Sequence, residues 1–162
     1  MSFKYAFNRL AIAASFLFIS FSVIAEPTLE EVVVSARKVD ENLQDVPIAM
    51  SVFTSSDIED AGIQRPEDFI ALTPNVVMAN TVNVGDTLVT IRGLTSTRDA
   101  ESNFAFVVDG VLQTNPNAFN RELLDIAQIE VLKGPQGALY GRNATSGAIL
   151  ITTKAPSEES ES

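Results

Sequence analysis

Apolar and polar positions alternate in short runs through most of the chain, and those runs predict strands rather than long helices. Ile48-Ala49-Met50-Ser51-Val52-Phe53, after Pro47, alternates apolar with small or polar residues, the pattern of a half-buried strand. Val76-Val77-Met78, Thr87-Leu88-Val89-Thr90-Ile91-Arg92, Phe104-Ala105-Phe106-Val107-Val108, Ile129-Glu130-Val131-Leu132-Lys133 and Ala148-Ile149-Leu150-Ile151-Thr152-Thr153 read the same way. Turn chemistry separates them: Gly85-Asp86 precedes the second of these, and Asp109-Gly110, a strong hairpin signal, leads from the third into Val111-Leu112. Two short helices interrupt the pattern. Residues 55–62 carry a capping box of Ser56 with Glu59 and a left-handed stop at Gly62. Residues 65–72 place Pro66 in the first turn, bury Phe69, Ile70 and Leu72, and end at Thr73-Pro74. Residues 123–126 read as a further helical turn.

One run stands apart. Leu29-Glu30-Glu31-Val32-Val33-Val34-Ser35-Ala36-Arg37 has three β-branched valines that favour extended backbone. Charge at Glu30, Glu31, Arg37 and Lys38 and a polar stretch over 40–45 bracket it, with no hairpin partner evident. Such a strand is either an edge of the chain's own sheet or a strand offered to a partner, whose sheet edge would satisfy its N–H and C=O groups.

The N-terminus indicates where the protein works. Lys4 and Arg9 precede an apolar stretch from Leu10 to Ile24, and Val23-Ile24-Ala25 supplies a cleavage site, the anatomy of a secretory signal peptide over 1–25. The apolar stretch is shorter than the ~20 residues a membrane span needs, so the mature chain is expected to start at Glu26 and be exported. All 21 acidic residues lie after Ala25 with 9 of the 11 Lys and Arg, a formal charge of −12. That balance argues against nucleic acid and against an anionic membrane surface, both of which need basic residues. The chain has no Cys and no His. Disulfides are therefore excluded, and the commonest metal ligands and the commonest general base are missing. No enzyme activity, cofactor or metal is expected.

Gly134, Gly137, Gly141 and Gly147 invite a phosphate-loop reading that fails on chemistry. The Walker pattern needs Lys and a hydroxyl after its last glycine, whereas Arg142-Asn143 follow Gly141. The dinucleotide spacing does not occur. These glycines are better suited to a tight loop between two buried strands. Asn143-Ala144-Thr145 matches a glycosylation acceptor but is expected simply to lie in that loop. Asp57, Glu59 and Asp60 suit a helix's first turn better than calcium.

Taken together, these runs resemble a known family. Glu31-Val32-Val33-Val34-Ser35-Ala36 resembles the TonB box of TonB-dependent outer-membrane receptors, and residues 46–154 resemble their plug domain. Ile91-Arg92-Gly93-Leu94, Val107-Val108-Asp109-Gly110-Val111, residues 129–141 from Ile-Glu-Val-Leu-Lys-Gly-Pro onward, and residues 146–154 match in order. The resemblance implies an α+β plug with a mixed four-stranded sheet and short helices, seated in a 22-stranded barrel. It divides the chain into a TonB box and linker over 26–45, a plug over 46–155 and a disordered acidic tail over 156–162, with the box flexible. It implies that an iron–siderophore, cobalamin or oligosaccharide binds outside, and that the box then pairs as a strand with the periplasmic domain of TonB. By that resemblance Arg92 and Lys133 fall where the family's basic plug residues face barrel carboxylates, Arg142 is a further basic candidate facing the wall, and loops 79–86 and 95–103 fall where substrate is met.

A barrel needs several hundred further residues of alternating strands, and residues 1–162 supply no barrel hairpin. The expectation is a truncated receptor whose intact form works in the outer membrane. The alternatives are a free-standing periplasmic module that binds TonB and a soluble ligand-binding protein. On its own the plug is expected to be folded but marginal.

Overall fold

A computed structural model describes residues 32–35, 41–80, 87–96 and 101–156. The expected signal peptide, the acidic residues after Pro156, the Gly85-Asp86 turn and, of the expected substrate loops, residues 81–86 and 97–100 lie outside these residues.

Among the described residues, ten strands and three short α-helices follow in the order β1 (Val33–Val34), β2 (Glu41–Asn42), β3 (Met50–Thr54), α1 (Ser55–Asp60), α2 (Pro66–Ala71), β4 (Val76–Asn80), β5 (Thr87–Ile91), β6 (Leu94–Thr95), β7 (Phe104–Val108), β8 (Val111–Leu112), β9 (Ile126–Lys133), α3 (Gly137–Tyr140) and β10 (Gly147–Thr153). Single 3₁₀ turns span Leu43–Asp45 and Pro116–Asn120. The main sheet has the order β3-β9-β10-β7-β8. β7 and β10 run parallel and the remaining pairs antiparallel. This is the mixed sheet of the α+β expectation: four full strands, with the two-residue β8 added at one edge. A second sheet has the order β4-β5-β6.

β9 and β10 are central because their apolar residues serve both faces of the sheet, as buried strands require. On one face Ile129, Val131, Ile149 and Ile151 join Phe104 and Phe106 of β7 in the larger core, beneath Ile58, Phe69, Ile70, Val89 and Ile91. Phe119, in the 3₁₀ turn, meets Phe69, Phe104 and Phe106 with ring centroids 6.3, 5.3 and 5.1 Å apart, each edge-to-face. That geometry is favoured by the ring quadrupoles. On the other face Leu132, Ala148, Leu150, Ala105 and Val107 form a smaller core with Ala144, against which Met50 and Tyr140 pack.

Local chemistry fixes the connections. Ile91 and Leu94 face each other across Arg92-Gly93, and Val108 faces Val111 across Asp109-Gly110. All four turn residues have positive φ, between 47° and 82°, the two-residue hairpin turn that matches strand twist. Arg92 therefore belongs to a turn, one residue beyond the strand that the alternation assigned to it. The loop over 134–146 closes on itself through Gly134 N–H to Ser146 O (2.9 Å) and Gln136 N–H to Ala144 O (2.7 Å). At its end a Cβ on Gly147 would run into the Leu132 carbonyl oxygen, so strand pairing demands glycine there.

Several local expectations are corrected. The capping box of α1 is Thr54 with Asp57, two residues before the Ser56–Glu59 pair: Asp57 accepts from Thr54 N–H at 2.9 Å, and Thr54 Oγ1 from Asp57 N–H at 3.4 Å. Thr54 keeps the extended backbone of β3, so the helix starts at the strand's last residue. α2 begins at Pro66 as expected, and Asp68 holds the N–H groups of Arg65 and Gln64. Residues 123–126 form no helical turn. Asp125 takes a positive φ of 52° and β9 starts at Ile126; the turn of helix lies earlier, where Asn115 caps it by accepting from Asn117 N–H at 3.0 Å.

Candidate interaction site: the valine strand and the cation pair

The valine run has a partner within its own chain. β1 pairs antiparallel with β2, Val33 opposite Asn42 and Val34 opposite Glu41, and Val32 O accepts from Leu43 N–H at 3.0 Å. This corrects the reading of a lone strand without a hairpin partner. Glu41 and Asn42 belong to a polar stretch with little strand propensity, and Asn42 then caps the 3₁₀ turn by accepting from Gln44 N–H at 2.9 Å. Glu31 and Ala36, the outer members of the expected box, lie outside the described residues.

The opposite edge of the strand is also occupied. Gln128 Nε2 donates to Val33 O at 3.0 Å, and Ser35 donates to Glu130 Oε1 through its N–H at 3.1 Å and its hydroxyl at 3.3 Å. Gln128 and Glu130, two apart on β9, project from the sheet face that carries Leu132 and Leu150. Val34 is 1% exposed while Val33 is 47% exposed. The box expected to be flexible is, over Val32–Ser35, a docked strand.

Glu130 is 2% exposed, between Val52 of β3 and Leu150 of β10. A carboxylate so placed must be held by donors, and Ser35 supplies two. Beside it runs a groove of about 460 Å³ lined by Ser35, Val107, Leu112, Leu139, Tyr140 and Leu150. Burial, and then the charge of Glu130, push the Tyr140 phenol up to about 12. Reading the sequence missed Gln128 and Glu130. The available signal was a polar residue at each of two positions, i and i+2, on one face of an otherwise apolar strand.

The structure brings two of the three expected basic residues together. Lys133, at the end of β9, donates to Ser51 Oγ at 3.0 Å and to Pro74 O at 3.4 Å. Burial first, and then the charge of Arg92, hold its ammonium below the ordinary lysine value. Arg92 sits at φ 50°, uncommon for a non-glycine residue. Its guanidinium lies over Gly134, where a Cβ would stand 3.1 Å from Nη1 and where φ is 120°. Neither cation has a carboxylate partner among the described residues. Arg142 is engaged elsewhere, in an exposed ion pair with Glu101 at 2.8 Å.

Residues 42–148 match the family model for the TonB-dependent receptor plug domain. The chain is 30% identical over 132 residues to the pesticin receptor of Yersinia enterocolitica, covering 81% of this chain and 19% of that protein. It is 33% identical over 139 residues to the vitamin B12 transporter BtuB of Vibrio vulnificus, covering 82% and 22%. The ferric yersiniabactin uptake receptor FyuA from Yersinia pestis superposes with a TM-score of 0.62 at 30% identity, over 67% of this chain and 17% of that one. The chain thus spans about a fifth of the length of the relatives it matches. With the mixed sheet, its hairpins and the glycine loop in place, these matches show that the chain belongs to the TonB-dependent receptor plug domain family.

Proposed function

We propose that this chain is the gate of an outer-membrane uptake receptor, a plug that occludes a 22-stranded barrel and is moved by TonB to admit a siderophore or substrate of similar size. The observation that carries the reading is the valine strand. It is extended, lies at the periphery of the plug, and is held to the main sheet by three hydrogen bonds with side chains of β9, one donated by Gln128 and two accepted by Glu130. A strand of that kind can be handed to another sheet, and a grip shared among backbone hydrogen bonds resists pulling better than any one bond, each worth about 1 kcal/mol net. Residues 31–36 are then the segment that pairs with TonB's periplasmic domain. The names of the relatives, receptors or transporters for pesticin, vitamin B12 and ferric yersiniabactin, support uptake across the outer membrane as the setting.

Arg92 and Lys133 are the residues suited to the barrel wall. Two like charges side by side repel, and one is partly stripped of water; wall carboxylates between them would remove both costs. Arg142 is a weaker contact, because it would first have to exchange Glu101 for a group on the wall.

The test is calorimetric titration of the chain with the periplasmic domain of TonB. Binding is expected for the wild type. Val33→Pro removes one N–H donor from the strand and fixes its φ, and the expected result is loss of measurable heat. Unchanged affinity for Val33→Pro would sink the reading.

A further inference from the structure

The two edges of the valine strand are held in different ways. Val32, and by the alternation of antiparallel pairing Val34, direct their backbone groups at β2. Val33 and Ser35 direct theirs at β9, where no strand among the described residues meets them. Two side chains stand in its place: Gln128 Nε2 gives Val33 O its hydrogen, and Glu130 Oε1 takes that of Ser35 N–H. We propose that Gln128 and Glu130 form a clasp on the strand edge that TonB takes, and that TonB's strand displaces these two side chains while β2 stays paired. The proposal rests on the reading of residues 31–36 as the TonB-binding segment and adds which edge is used and what competes for it.

The choice of edge follows from chain connectivity. β1 and β2 are joined by only six residues, 35–40, so their re-pairing is intramolecular and a partner must outcompete a high effective concentration. The β9 edge is held by side chains alone, and vacating it leaves the backbone of the main sheet untouched. Gln128 can be returned to water at small cost. Glu130 is the stronger jaw, since a hydrogen bond to a charged group is worth more than a neutral one and its carboxylate is buried. Release of Ser35 also removes one wall of the groove that Tyr140 and Leu150 line.

Three titrations with the periplasmic domain of TonB test this. The first uses the wild-type chain, the second Glu130→Leu and Gln128→Ala separately, and the third a synthetic peptide of residues 29–38, which carries no clasp. Leucine matches the bulk of Glu130 and suits its neighbours Val52 and Leu150, so the acceptor of the Ser35 N–H and hydroxyl is lost without leaving a cavity. The peptide is expected to bind about tenfold more tightly than the wild-type chain, Glu130→Leu to close most of that gap and Gln128→Ala part of it. Amide exchange followed by NMR separates release from unfolding. The Ser35 amide should lose protection in Glu130→Leu while Ile129 and Val131 keep theirs. A peptide that binds no better than the chain, or variants that leave the gap unchanged, would overturn the clasp and leave the TonB-binding reading standing. A peptide that does not bind at all overturns both.

Discussion

Tyr140 reports on the least conventional part of this molecule, the buried carboxylate beneath the docked strand. Its phenol is half-buried and faces the charge of Glu130, so the neutral form is favoured and the folded value is raised to about 12. An unfolded tyrosine ionises near 10. Tyr140 therefore supports the fold fully below pH ~10, and that support is lost as pH rises from 10 toward 12. The chain has two tyrosines, and Tyr5 precedes the expected cleavage site. Ultraviolet titration of the protein from residue 26 on should give a single phenolate midpoint near 12. Glu130→Leu should lower it, and a midpoint near 10 in the wild type would refute the burial described. Lys133 responds in the opposite sense. Its lowered value means that its buried charge opposes folding, a cost relieved as pH rises toward 10.5. Removing the neighbouring charge with Arg92→Gln should raise the Lys133 value, measurable by NMR of its Cε resonance.

Among the elements, the 3₁₀ turn over Pro116–Asn120 does more than its length suggests. It is a single turn, capped by Asn115, yet it inserts Phe119 into the larger core against three other phenylalanines. Phe119→Ala should cost about 3–5 kcal/mol by transfer and cavity terms, seen as a lower midpoint in urea with little change in slope. Its role was hidden because one apolar aromatic between Asn and Pro residues carries no period. The β7–β8 hairpin, by contrast, was legible: Asp109-Gly110 can form the tight turn that its neighbours need, and β7 and β8 flank it where expected. The Thr54–Asp57 box was misplaced by two residues because Ser56–Glu59 has the same chemistry, and only the extended backbone of Thr54 distinguishes them.

At the scale of the whole molecule, stability should be graded from the sheet centre outward. β9 and β10 are flanked on both sides and buried on both faces, whereas β1 is held by a two-residue ladder and side chains. Hydrogen exchange should therefore be slowest at Ile129, Val131 and Ile149, at the level of global unfolding, and markedly faster at Val34. Equal protection at all of these sites would mean that the valine strand is integral to the fold rather than docked on it. Under the proposed function, a part that releases at low cost is what a segment pulled by a partner would require, and a centre that resists would let the pull be transmitted.

The sequence by itself determined the strand runs, the Asp109-Gly110 turn, the proline-started helix, the glycine loop and, through motifs in order, membership of the plug family. These are local properties: alternation, turn residues and spacing act within a few positions of the chain. Tertiary structure alone decided that Glu41 and Asn42 would pair with the valines, that Arg92 and Lys133 would share one site, and that Gln128 and Glu130 would hold the strand from below. The last two depend on residues tens of positions apart being brought to one sheet face or end, and the first on a polar stretch of little strand propensity folding back on the valines. No local pattern encodes that register. It is fixed only when the apolar faces of β9 and β10 have found their covers and the polar groups left between them must find partners.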